Sequence, residues 1–250
     1  MTVNVLLLPT LITGGAVALL PTFDPAKLLD LIESKHCTFS FSLPAGMQFV
    51  AAEPERSPRD LSSMTTWLAG GDAVPLSLQQ WWKRLSDCPL LEGFGMSESL
   101  VITFNPPSAN RPGSLGLPAG KVEVRVLGFD STPMADGESG ELAVRSPANF
   151  VEYWEDPEGT KRAVVDGWLR TGDLGRRDAD GYFWFAGRRK ELIIRGGSNI
   201  SPQQVEGALL QHPAVVEAGV VGSPDDVHGE RVVAFAALSE GHAITEIELP

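Results

Sequence analysis

One aspartate in the chain follows a threonine and a glycine, at Thr171-Gly172-Asp173, and a cluster of charge at Arg188-Arg189-Lys190-Glu191 comes shortly after it. A glycine lets the backbone bend and approach closely, so the Asp173 carboxylate is expected at a turn, presented to a partner or capping the turn itself. The charged run suits a joint between domains or a solvated linker. Upstream, LLEGFGMSES sets Phe94 beside Gly95, with Ser97 and Glu98 close behind. An aromatic next to a glycine can lie flat against a purine, and a hydroxyl and a carboxylate at one strand end can meet a phosphate and its magnesium. Taken alone, that segment also fits a strand end with a Ser-Glu capping pair. Two glycine pairs, Gly70-Gly71 before Asp72 and Gly196-Gly197, mark further tight turns.

In this order the segments resemble the motif blocks of the acyl-adenylate-forming superfamily, which includes fatty-acid and 4-coumarate CoA ligases, luciferases and peptide-synthetase adenylation domains. FGMSE is similar to its Y-G-M-T-E motif, with Phe94 for tyrosine and Ser97 for threonine, and both keep the chemical type. The resemblance implies an ATP-dependent acid-CoA ligase: a carboxylate and ATP give an acyl-adenylate, which CoA or a carrier pantetheine converts to a thioester. It also implies roles. Phe94 with Gly95 would stack on adenine, Ser97 would touch the phosphates and Glu98 would hold Mg2+. Asp173 would hold the ribose hydroxyls, Arg188 would contact ribose or phosphate, and Lys190 would be the hinge of a mobile domain. Gly196 and Gly197 would line the pantetheine path, and Gly70, Gly71 and Asp72 would stand beside adenine and the acid. Asp72 is unusual for the family there, and its role stays open. The segments matching the acyl pocket, 41–47, 70–72 and 94–101, are apolar or small and suit a fatty or aryl acid.

These residues must be held by an α/β fold. The resemblance implies a partial large domain at 1–187, with a mainly parallel sheet and helices over 1–110 and a small antiparallel, barrel-like β region over 111–187. An incomplete α+β C-terminal domain follows at 188–250, hinged near Lys190. The apolar stretch 3–21 is broken by Pro9, Gly14-Gly15 and Pro21, and it has no basic leader, so it reads as core with a buried strand at 16–21 rather than as a membrane span or signal. Asp24 with Pro25 predicts a helix start, with Leu28, Leu29, Leu31 and Ile32 as its apolar stripe, and an extended run resumes at Thr38. The prolines and mixed charge of 51–60 predict a surface loop. Strand, glycine turn and helix follow over 64–85, with one of Trp81 and Trp82 in the core and the other over a groove. Asp180-Gly181 predicts a hairpin between 170–177 and 182–187, with Gly187 breaking its second strand. Ser201 with Pro202 starts a later helix whose Val205, Leu209 and Leu210 face inward.

Apolar residues at 43% and charged residues at 21% leave enough material for a sizeable core. A net charge of -12 provides no basic stripe for nucleic acid. Cys37 and Cys88 are too few for a disulfide framework and fit reduced thiols in a cytoplasmic protein. His36, His212, His228 and His242 lack metal-ligand spacing. The resembling family also uses a Ser/Thr/Gly-rich phosphate loop ending in Pro-Lys and a lysine near its C-terminus. No such loop occurs in the 250 residues, and no lysine follows Lys190. A catalytically incomplete fragment is therefore expected, with a non-catalytic AMP-binding module, or half of a split ligase joined by a complementing polypeptide, as the alternatives.

Overall fold

The computed structural model describes residues 3–52, 59–72, 74–239 and 241. The chain divides into two compact units: 1–125 with 143–171 and 177–184, and 126–142 with 172–176 and 185–250.

In the first unit a π-helical turn at Val3–Leu7 runs into α1 (Leu8–Ile12), and residues 15–20 are irregular. The buried strand expected at 16–21 does not form, and Leu11, Ile12 and Leu19 are 53%, 82% and 73% exposed. An extended segment needs a neighbour for its N–H and C=O groups, and no described strand pairs with this one. The start of α2 (Pro25–Lys35) is as expected: the Asp24 carboxylate accepts from the Lys27 N–H at 3.0 Å, and Leu29 and Ile32 are buried. After β1 (Phe39–Ser42) comes a helix the sequence reading missed, α3 (Pro44–Ala52), which begins at a proline and buries Met47 and Val50 on one face. Most of the loop expected at 51–60 lies outside the described residues.

β2 (Thr66–Gly70), α4 (Leu76–Leu85), β3 (Leu90–Met96), β4 (Leu100–Phe104) and the short β5 (Leu117–Pro118) complete a mixed five-stranded sheet in chain order. β1, β2 and β3 run parallel, whereas β4 and β5 join antiparallel. Its core sets the Trp67 and Trp82 rings edge-on, centroids 4.7 Å apart, with Trp81 at its margin. The two indoles donate to the Ser42 hydroxyl and the Cys88 carbonyl, both at 2.9 Å, so neither N–H is buried unmet. Burial pushes the Cys88 thiol up to about 11.

The next sheet, of order β10-β9-β7-β6, is built from β6 (Glu123–Leu127), β7 (Ser139–Arg145), β9 (Trp168–Arg177) and β10 (Phe183–Arg188). α5 (Pro157–Ala163) leads into β8 (Val164–Val165), which pairs with β9. The predicted Asp180-Gly181 turn joins β9 and β10. In it Asp178 accepts from the N–H groups of Asp180 and Tyr182, and the Arg111 guanidinium reaches Asp178 at 3.2 Å and Asp180 at 2.7 Å.

A third sheet, of order β12-β11-β14-β13, lies in the second unit and contains β11 (Ile193–Arg195), β12 (Ser198–Ile200), β13 (Val215–Asp225) and β14 (Gly229–Leu238). α6 (Pro202–Leu209) packs Leu209 against Ile193 and Val220. Leu210 is 49% exposed rather than inward, because the helix ends before it. Among the described residues no helix is long and apolar enough to cross a membrane.

Candidate functional site

The first group of candidate residues is built around the β3-β4 hairpin. Gly70 on β2 stands opposite Gly93 on β3, and a Cβ on Gly70 would lie 2.6 Å from the Gly93 carbonyl oxygen. A small, open pocket lies at this patch, lined by Phe41, Leu68, Gly70, Phe94, Gly95 and Phe104 among others. The wall is apolar, as an aliphatic or aromatic group requires. Gly71 continues the turn with φ +93°, and a Cβ there would meet the Leu43 side chain at 2.8 Å; Asp72 follows on the exposed side. Phe94 is half-buried and also packs against the cluster of Ile102, Val144 and Leu169.

Ser97 and Glu98 lie in the turn between β3 and β4, with Ser97 exposed. That turn is fixed from segment 149–153. The Tyr153 hydroxyl donates to the Glu98 carboxylate at 2.8 Å, the Phe150 N–H donates to the Glu98 carbonyl at 2.7 Å, and the Ser99 hydroxyl donates to Asn149 at 2.8 Å. Burial, then the bond to Glu98, raises the Tyr153 phenol above its ordinary value. The second Glu98 oxygen meets no partner among the described residues. A single carboxylate with one open oxygen fits a magnesium ion that takes its other ligands from phosphates and water. Among the described residues no three of His, Cys, Asp and Glu gather into a metal cage. Tyr153 and Asn149 were not singled out from sequence, since nothing local in NFVEYW shows a partner fifty residues away.

The second group surrounds β9 and β10. Asp173 lies within the ten-residue strand β9 and not in a loop, because the positive φ of Gly172 (75°) bends the strand without ending it. Gly187 likewise does not break β10; its φ of +128° and the Ser201 hydroxyl, 2.5 Å from where a Cβ would stand, require glycine inside the strand. The Asp173 carboxylate, 14% exposed, meets the Arg188 guanidinium at 3.3 Å, and Arg188 also approaches Glu191 at 3.9 Å. Burial raises the Asp173 carboxyl above its usual range, and Arg188 opposes that shift. Arg189–Glu191 form a single 3-10 turn with Lys190 exposed on it. Gly196 and Gly197 make the two-residue turn of the β11-β12 hairpin, both with positive φ. One further residue here escaped the sequence reading. Glu141, only 3% exposed, accepts from the Gly172 N–H at 3.1 Å and from the Arg189 guanidinium at 3.2 Å. The signal available was a carboxylate beside the apolar run of GELAVR.

An apolar pocket at the end of a mixed sheet, beside a carboxylate in a hairpin turn, defines a small-molecule-binding α/β protein. The chain belongs to the AMP-binding enzyme family, which matches residues 1–154, and that family's C-terminal domain matches residues 204–249. A feruloyl-CoA synthase of Amycolatopsis is 38% identical over 247 residues, 97% of this chain and 50% of the relative. A long-chain-fatty-acid–CoA ligase of Bacillus subtilis is 37% identical over 231 residues, 91% of this chain and 41% of the relative. Among solved structures, ATP-bound MatB from Rhodopseudomonas palustris superposes with a TM-score of 0.90 at 31% identity, over 99% of this chain and 50% of that one. The chain thus spans about half the length of the curated relatives it matches.

Proposed function

We propose that the chain carries the nucleoside and acyl-binding parts of an AMP-forming acid-CoA ligase acting on a fatty or aryl carboxylic acid in the cytoplasm. The observation that carries this reading is the 36–38% identity to acid-CoA ligases along almost the whole chain. In the reaction, a carboxylate oxygen attacks the α-phosphorus of ATP and the bond to pyrophosphate breaks. The thiol of CoA or of a carrier pantetheine then attacks the acyl carbon, giving up its proton, and AMP leaves. Phe94 and Gly95 take the purine face, and Ser97 touches the phosphates. Glu98 holds the magnesium that neutralises them, oriented by Tyr153. The Asp173 carboxylate accepts from the ribose hydroxyls with Arg188 as its countercharge. Gly70, Gly71 and Asp72 border the acid, and the cavity behind them takes its apolar tail. Lys190 is the pivot between 1–187 and 188–250, and Gly196-Gly197 lines the thiol's approach after the turn.

The 250 residues hold no phosphate loop and no lysine after Lys190. For the chain alone we therefore propose AMP binding without ATP-pyrophosphate exchange, with exchange appearing only beside a complementing polypeptide. Calorimetry with AMP tests the binding. The wild type is expected to bind, and Asp173→Ala to bind at least about tenfold more weakly, the loss of hydrogen bonds to a charged acceptor. Equal affinity of the two proteins would remove Asp173 from the sugar. Pyrophosphate exchange by the purified chain would overturn the incompleteness.

A further inference from the structure

We propose that Glu141 is a positioning residue that ties the strand bend presenting Asp173 to the chain just before the Lys190 pivot; the inference rests on the roles given to Asp173 and Lys190 above. Three observations carry it. Glu141 stands on β7 with its side chain only 4% exposed, and burying a carboxylate to that degree is costly unless its oxygens are met. Each oxygen is met by a different segment: one accepts from the Gly172 N–H at 3.1 Å, the other from the Arg189 guanidinium at 3.2 Å. Gly172 precedes Asp173, and Arg189 stands between the arginine that pairs with Asp173 and Lys190.

The physical consequence concerns which bonds can turn. Gly172, at φ 75°, has no side chain of its own to hold its conformation, and nothing would crowd a Cβ there. The hydrogen bond from its N–H to a buried anion adds a restraint on the bend within the paired strand, and charge-assisted bonds of this kind are roughly twice as strong as neutral ones. Arg189 is half-exposed, and its guanidinium also lies 5.4 Å from the centre of the Phe129 ring. Held at both contacts, it anchors the chain up to the residue before the pivot. On the far side Glu191, which Arg188 also approaches at 3.9 Å, accepts from the Gln203 side chain at 2.9 Å, and Gln203 accepts from the Ser201 hydroxyl at 3.0 Å. Lys190 is thus bracketed by two anchored neighbours, and exposed itself, it is the position free to change backbone angles.

The two bonds to Glu141 separate by substitution. Glu141→Gln keeps an acceptor oxygen for Gly172 but turns an N–H₂ toward Arg189, whereas Glu141→Ala loses both bonds, and Arg189→Ala loses only the second. The test is hydrogen exchange by mass spectrometry on the full chain, read on peptides covering 168–176 and 186–193, alongside AMP calorimetry. In Glu141→Ala both peptides are expected to exchange at least about tenfold faster, and AMP to bind about tenfold more weakly. In Glu141→Gln and in Arg189→Ala only 186–193 should accelerate, with AMP affinity within about twofold of wild type. This rescue of 168–176 by glutamine is what a general loss of packing would not produce. Unchanged exchange in both peptides of Glu141→Ala, or equal acceleration of both in Glu141→Gln, overturns the proposal. Should Glu141→Ala fail to fold, Glu141→Gln and Arg189→Ala decide alone. If wild type binds no AMP while the exchange pattern holds, the tie stands and the nucleotide reading of Asp173 falls.

Discussion

The hairpin of β3 and β4 and the hairpin of β9 and β10 each carry a glycine-marked motif and a buried carboxylate, yet they solve the burial differently. In the first, Glu92 on β3 is 8% exposed and accepts from neutral donors, the Gln79 amide at 2.5 Å and the Gly113 N–H at 2.6 Å, with no arginine or lysine beside it among the described residues. In the second, Asp173 is met by Arg188 and neighboured by the Glu141-Arg189 pair. Burial raises both carboxyls above their ordinary range. The glycines differ as well. A Cβ on Gly95 would collide with the Leu100 backbone across the hairpin, whereas one on Gly172 would meet nothing. The first hairpin is thus shaped by the room its backbone needs, and the second by charge. A neutral frame around an apolar pocket and a charged frame beside an exposed 3-10 turn are what the two proposed tasks, holding an acyl tail and gripping a sugar, would each require.

That contrast breaks first on the glycines. Gly95→Ala is expected to lower the unfolding free energy by about 3 kcal/mol through overpacking, against about 1 kcal/mol for Gly172→Ala from left-handed backbone strain alone, both read from urea denaturation. Similar losses at the two sites would erase the distinction. The carboxylates sharpen it next. Because burial raises Glu92, the folded chain binds that proton more tightly than the unfolded chain does, so the associated stability is fully present below the ordinary value of 4.5 and is lost as pH rises through the raised one. Glu92→Gln carries no such proton, and its stability between about pH 4 and 7 should fall less with rising pH than that of wild type. A parallel pair of curves would show that Glu92 does not titrate differently on folding. The smallest effect is expected at Tyr153→Phe, which removes one hydroxyl from Glu98 and should cost about 1 kcal/mol by the same denaturation measurement. A loss beyond twice that would mean the Glu98 turn depends on Tyr153 for more than a hydrogen bond.

A helix start and several turns could be read from sequence because their cues are local. Asp24 before Pro25, Asp180 before Gly181 and Gly196-Gly197 each act within a few residues, and the structure places a helix start and two hairpin turns there. The misreadings have a common cause. Residues 16–21 are apolar enough for a buried strand, but a strand exists only with a neighbour, and pairing is not encoded in the segment itself. Thr171-Gly172 and Gly187 carry the signs of a turn and a break, yet β9 and β10 continue through both, because the pairing of the strands outweighs local glycine preference.

The order of motifs, the residue types of FGMSE and RTGD and the charged run after Gly187 follow from the chain alone, since each depends on covalent neighbours. Tertiary structure alone decided who meets them: Tyr153 on Glu98, Glu141 on Gly172 and Arg189, Gly70 facing Gly93. These partners lie tens of residues away, and only the enclosure of polar groups away from water, which makes an unmatched carboxylate or N–H costly, selects them from the alternatives.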